Sequence, residues 1–226
     1  MKARQQTCFL FDLDGTLVDS VYDHVLAWHD ALQEEGIEVS VWRLHRKIGM
    51  SGGLFTKALA RETGLELGPE MLEKLRLLHL KYYSSRSHRT RPLPGACDLL
   101  AYLSGNDIPW AIATSGRIET AGPVLKILGV DPAKQVVITR DLVRYAKPDP
   151  DLFLAAAEKL EADINTACVV GDAIWDMLAA RRARALGIGL LSGGYGTDEL
   201  ERAGAYRVYE DPADLLAHID EVGGRR

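Results

Sequence analysis

Six short apolar runs punctuate the chain, at Thr7–Phe11, Pro109–Ala113, Val136–Thr139, Ala167–Gly171, Ile188–Leu191 and Tyr206–Tyr209. Each has the length of a strand and is too short for an ordinary helix. Between most of them the apolar positions move to helical spacing, and these stretches often close at a glycine, as at Gly105, Gly129 and Gly204, where a helix end is favoured. Strands alternating with helices predict an α/β fold with a parallel sheet covered on both faces. In such sheets ligands bind beyond the carboxyl ends of the strands, so residues that follow the apolar runs carry the search for chemistry.

One stretch departs from the alternation. Between residues 18 and 92 no run reads as a strand, and helical patterns cover Ser20–Glu35, Val41–Lys47, Leu54–Glu62 and Pro69–Ser84. The first opens at Ser20, a candidate N-cap, and ends at Gly36. An all-helical insert directly after the first strand would sit over the carboxyl edge of the sheet. The expected division is a core of residues 1–17 and 93–226 with a helical cap of residues 18–92. The basic run at residues 85–91 reads as a solvated linker back to the core, and the Gly223–Arg226 tail as frayed.

Composition narrows the class of protein. The 226 residues are 47% hydrophobic and 26% charged, as in ordinary globular chains. The 27 Lys and Arg against 32 Asp and Glu give a net charge of −5, which argues against a nucleic-acid partner. Cys8, Cys97 and Cys168 are odd in number and widely spaced; Cys8 and Cys168 fall in apolar runs that read as strands, so these two are expected to be buried thiols rather than bridges or metal ligands. No apolar run reaches membrane-spanning length and none resembles a leader. A cytoplasmic protein without membrane association is expected.

The strongest chemical signal is Phe9-Leu10-Phe11-Asp12-Leu13-Asp14-Gly15-Thr16. Two carboxylates two residues apart at a strand end point the same way, and Gly15 lets the chain turn. Close buried carboxylates repel unless a cation or proton intervenes, and a divalent ion with oxygen ligands meets that need. Val169-Val170-Gly171-Asp172-Ala173-Ile174-Trp175-Asp176 again joins a strand to a helix, with Asp172 and Asp176 four apart on one face; helix capping and metal binding both remain open readings. Lys147 precedes Pro148-Asp149-Pro150, and Ile112-Ala113-Thr114-Ser115-Gly116 ends a strand in hydroxyls and a turn. An ammonium there would offset clustered carboxylates beside a phosphoryl group, and such turns suit phosphate oxygens.

Taken in order, these segments resemble the four motifs of the haloacid dehalogenase superfamily: Asp-x-Asp-Gly-Thr, a Thr or Ser after the second strand, a Lys near Lys-Pro-x-Pro, and Gly-Asp-x-x-x-Asp. The resemblance spans the chain, including Pro92-Leu93-Pro94-Gly95 where the cap returns. It points to the group of phosphoglycolate phosphatases and beta-phosphoglucomutases. It implies a Rossmann-like three-layer core with an inserted helical cap. It also implies that Asp12 is the nucleophile, that Asp14 is the general acid and base, and that Thr114, Ser115 and Lys147 hold phosphoryl oxygens. Magnesium would be held by Asp12, the Asp14 carbonyl and Asp172, with Asp176 orienting a bound water. A carboxylate at position 14 favours phosphate esters over the dehalogenases and phosphonate-cleaving members, which lack one.

The cap should set substrate choice. His24 and Trp28 resemble a His-x-x-x-Trp pattern of sugar-phosphate enzymes in the family, so His24 is a hinge or substrate contact, or a core histidine. Arg46 and Lys47 are candidate substrate contacts, the alternative being a solvated helix face. Mutase relatives carry an arginine after a Gly-x-Ser of the cap, where this chain has Gly52 and then Gly53. The expected activity is therefore magnesium-dependent hydrolysis of a small phosphomonoester, a sugar phosphate or phosphoglycolate-like acid, by a monomer or homodimer. A sugar-phosphate mutase and an inactive phosphate-binding regulator are the alternatives.

Overall fold

The computed structural model describes residues 7–224; Arg225 and Arg226 of the expected frayed tail lie outside them. A six-stranded parallel sheet is built from β1 (Cys8–Phe11), β4 (Trp110–Ala113), β5 (Val136–Ile138), β6 (Ala167–Gly171), β7 (Leu186–Leu190) and β8 (Ala205–Tyr209), in the order β5-β4-β1-β6-β7-β8. All six expected strands are present, with ends shifted by a residue or two.

Side-chain alternation in β1 explains the layers. Phe9 and Phe11 face a core built with α5 (Ala96–Gly105), α6 (Ile118–Ile127) and α10 (Pro212–Ala217). Cys8 and Leu10 face the opposite core, against α7 (Asp151–Lys159) and α8 (Ile174–Ala183). The remaining helix, α9 (Thr197–Ala203), packs beside α8 and β8. β1 lies between β4 and β6, so the chain leaves it in opposite directions and opens a crevice at its carboxyl end.

Between β1 and α5 the chain forms α1 (Val21–Glu34), α2 (Val41–His45), α3 (Gly52–Thr63) and α4 (Pro69–Arg86). Val25, Leu32, Leu44, Phe55, Leu59 and Leu75 from these helices make a separate apolar core. Two details differ from the expected all-helical insert. A short antiparallel pair, β2 (Val18–Asp19) with β3 (Arg91–Pro92), ties the outgoing and returning strands together; two residues are too few to leave a periodic signal. The basic run is also not a free linker. α4 continues to Arg86, which pairs with Asp30, and Thr90 is buried.

The helical insert rests on the core at the crevice. Ser51 N–H donates to the Lys147 carbonyl at 2.7 Å, and Ser115 Oγ donates to the Gly49 carbonyl at 3.0 Å. On the other flank, His45 Nε2 donates to the Gly193 carbonyl at 2.8 Å and Tyr195 OH to the Arg46 carbonyl at 3.0 Å. Among the described residues no helix is long and apolar enough to cross a membrane. All three cysteines are free, Cys8 and Cys168 buried and Cys97 exposed.

Candidate active site

The four motifs meet at the carboxyl ends of β1, β4 and β6. Asp12 leaves β1 while its N–H still bonds the Val170 carbonyl at 2.9 Å, which holds it in the sheet's register. Lys147 Nζ lies 2.5 Å from Asp12 Oδ1 and 2.7 Å from Asp176 Oδ1. The ammonium is fully buried. Burial alone would lower its affinity for a proton, but Asp12 and Asp176 outweigh that and raise it, so Lys147 is a permanent cation.

Asp12, Asp172 and Asp176 bring carboxylate oxygens within 4.8 Å of one another. One ammonium cannot neutralise all three. Burial pushes Asp12 up to about 7 from 3.8, with Lys147 opposing and Asp176 adding to the rise. Asp172 is raised well above its ordinary value, first by burial and then by Asp176 and Asp12. Its Oδ1 accepts the Thr16 hydroxyl at 2.8 Å. This donor set of hard, buried, under-compensated oxygens fits a small divalent cation. Asp176 has both oxygens engaged, Oδ1 by Lys147 and Oδ2 by the Ala173 N–H at 3.0 Å.

Two glycines make the cluster sterically feasible. Gly15 has φ +85°, and a Cβ there would stand 2.5 Å from Asp172 Oδ2. At Gly193, on the loop after β7, the same atom would lie 1.8 Å away. Gly15 belongs to the recognised motif, whereas nothing in the local pattern around Gly193 signals its proximity to Asp172.

Asp14 stands apart from the carboxylate cluster. Ser20 Oγ donates to its Oδ1 at 2.6 Å, and His24 Nε2 is 3.3 Å away. Burial pushes the carboxyl up, but His24, Ser20 and Lys147 together hold it below the ordinary value. Ser20, expected as a helix cap, makes no capping bond; its hydroxyl is spent on Asp14. Thr114 Oγ1 accepts the Gly116 N–H at 2.9 Å and borders the same cavity as Asp12 and Asp14. Ser115 also borders it, with its hydroxyl turned to the cap.

The candidate residues of the helical insert divide. His24 Nδ1 is 3.1 Å from His79 Nε2, and both line the cavity. Lys47 reaches the cavity wall, but its ammonium is 2.8 Å from both oxygens of Glu62. Arg46 turns away, contrary to the expectation of a substrate contact. It pairs with Glu199 of α9 and stacks 4.1 Å from the Tyr195 ring centroid. His79 and Phe55 were missed as cavity residues because each reads locally as one more position on an amphipathic helix.

Comparisons with known proteins agree with this geometry. A family model described as "Hydrolase: haloacid dehalogenase-like hydrolase" matches residues 7–184. Hexitol phosphatase A of Escherichia coli (strain K12) is 35% identical over 73% of this chain and 74% of its own length. The phosphoglycolate phosphatase of Neisseria meningitidis serogroup A is 34% identical over 81% of this chain and 79% of its own. The crystal structure of a hydrolase from Pseudomonas syringae superposes with a TM-score of 0.95 at 58% identity, covering 96% of this chain and all of that one.

Proposed function

The chain belongs to the haloacid dehalogenase-like hydrolases, and from that premise we propose that it is a magnesium-dependent phosphatase cleaving small phosphomonoesters through an aspartyl-phosphate on Asp12. The observation that carries the proposal is the convergence of Asp12, Lys147 and the Asp172–Asp176 pair at one strand edge. A second carboxylate, Asp14, is held separately at the wall of the same cavity. Residues 18–92 act as the substrate-selecting cap. The free thiols suit a reducing cytoplasm.

Asp12, Asp172 and the Asp14 carbonyl would hold the magnesium ion, with Asp176 steering a water beside it through Lys147 and the Ala173 N–H. The ion, when bound, neutralises the carboxylates and the charge of the phosphoryl oxygens. Asp12 Oδ attacks phosphorus, and the bond from phosphorus to the ester oxygen breaks. Asp14 donates its proton to that departing oxygen. The arriving phosphate, being negative, favours the protonated form of a neighbouring carboxyl and so loads Asp14 for this step. The ionised Asp14 then takes a proton from water as the water attacks phosphorus, and Asp12 is released. Lys147, Thr114 and the turn after it hold phosphoryl oxygens throughout.

Hydrolysis is favoured over transfer to a second phosphorylated position by Gly52 and Gly53. Both line the cavity, and a Cβ at either meets nothing within 4 Å. Open space stands where a mutase would place a cation. Phosphate release from a panel of phosphomonoesters, with and without magnesium, tests the proposal. Turnover that persists in Asp12→Asn, or after complete removal of metal, would refute it, as would failure of the folded, magnesium-loaded protein to trap beryllofluoride.

A further inference from the structure

The cavity above Asp12 and Asp14 has a volume of about 490 Å³, within the range of sites for complete small molecules. A two-carbon acid would leave most of it to water. Its wall next to Asp14 is aromatic. His24, in contact with Asp14, stacks 3.9 Å from the Tyr83 ring, and His79 stacks 4.3 Å from Trp28. Trp28 in turn lies 4.4 Å from Phe55. The ladder thus runs from the carboxylate that would protonate the leaving oxygen to the wall of the cavity, where Trp28, Phe55 and Met50 face the space. A carbon skeleton attached to that oxygen would enter a cavity bordered by this wall.

All but one of the Lys and Arg cations bordering the cavity are matched by carboxylates. Lys47 is held by Glu62. Arg76 makes two bonds to Glu73, at 2.9 and 2.7 Å, and Arg117 is 2.7 Å from Asp141. Arg140 donates to the Val143 carbonyl at 2.7 Å and is the one lining cation with no carboxylate partner among the described residues. A second anionic group on the substrate, placed beside Trp28 and Phe55, would lose hydration against apolar side chains, and Arg140 is the one lining Arg or Lys not already paired with a carboxylate. An uncharged ring would instead present an apolar face to the aromatic side chains.

We propose that the substrate is a monophosphate of an uncharged, ring-bearing alcohol whose ring packs against Trp28 and Phe55, and that two-carbon acid phosphates such as phosphoglycolate are poor substrates. This assignment rests on the phosphatase reading above. The cap selects by shape and by the cost of burying a second charge, rather than by gripping one.

The test compares kcat/KM of the full chain, with magnesium, for p-nitrophenyl phosphate, a hexose 6-phosphate, phosphoglycolate and acetyl phosphate. At least one ring-bearing ester should exceed phosphoglycolate by about 10-fold or more. Trp28→Ala and Phe55→Ala should each shrink that ratio by roughly 10-fold through KM for the ring-bearing ester, and Trp28→Phe should preserve it. The ratio is insensitive to a loss of folded protein, which lowers both members alike. Phosphoglycolate as the best substrate, with KM raised by Arg140→Ala, overturns the assignment while leaving the phosphatase reading intact. An unchanged ratio in both aromatic variants overturns it as well. No turnover of any of the four by folded, magnesium-loaded protein overturns the phosphatase reading, and the substrate assignment with it.

Discussion

Removing the metal and then one carboxylate, with Asp172→Asn, should make the protein more stable, and increasingly so as pH rises. Asp12 is pushed up to about 7 in the fold against an ordinary 3.8, by burial first and by Asp176, with Lys147 opposing. Between those values the native chain keeps a proton that the unfolded chain has released. Stability of the metal-free protein therefore falls as pH rises through that window. The interval corresponds to about 4 kcal/mol against the charged form as an upper limit. Asp172 shifts in the same direction and shares part of that cost, because the two interact. Asn at 172 still accepts the Thr16 hydroxyl but carries no charge.

Urea unfolding followed by tryptophan fluorescence, in chelator, measures the difference between Asp172→Asn and the parent chain at each pH. Subtraction cancels the distant carboxylates common to both. The variant should gain little near pH 5 and progressively more toward pH 8, because the charge it lacks is one the fold disfavours. Magnesium at about 100 times its dissociation constant should then add about 2.7 kcal/mol to the parent and much less to the variant. A difference that stays flat with pH, or shrinks as pH rises, would show that the three carboxylates are not the buried, under-compensated cluster described above.

Three further outcomes follow from single contacts. Lys147→Met strands Asp12 and Asp176 without a counter-charge and should cost about 3–5 kcal/mol in metal-free protein; a loss under about 1 kcal/mol by urea unfolding would mean the pair is solvated. Ser20→Ala removes one of the groups holding Asp14 low, so the inflection of the pH–rate profile that belongs to Asp14 should move up, and a downward move would contradict the role. Arg46→Ala breaks a half-exposed pair with Glu199 and a stack on Tyr195, so stability should change by about 2 kcal/mol or less and kcat/KM by no more than about threefold; a loss beyond about 10-fold in steady-state kinetics would return Arg46 to the substrate.

The candidate site in the core was legible because each of its residues is punctuation on a local pattern. Asp12, Thr114 and Asp172 follow buried apolar runs, and a charge at the end of a buried run has no packing explanation. What escaped were pairings over long sequence separations. Arg46 meets Glu199 and Lys47 meets Glu62, so two basic residues that locally resemble substrate contacts are occupied within the fold. Ser20 shows a different limit. Its position fits an N-cap, yet its hydroxyl donates to a half-buried carboxylate six residues back and makes no capping bond, a competition between side-chain partners that no propensity encodes.

The helical insert is opaque because its proposed role in selecting substrate overlaps with its own packing. Leu32, Leu59 and Leu75 are explained fully by the core they fill. Phe55 belongs to that same core and also faces the cavity, and Trp28 packs against it while lying between Phe55 and His79. Packing alone accounts for their apolar character, so a helical pattern cannot separate a structural aromatic from one that touches a ligand. The distinction appears only when three helices bring residues 28, 55 and 79 to one wall beside Asp14. Charge that must be buried announces itself in a sequence, whereas apolar surface left open to a ligand does not. In this fold the proposed reaction is accordingly readable from the strand ends, and the proposed choice of substrate only from the assembled insert.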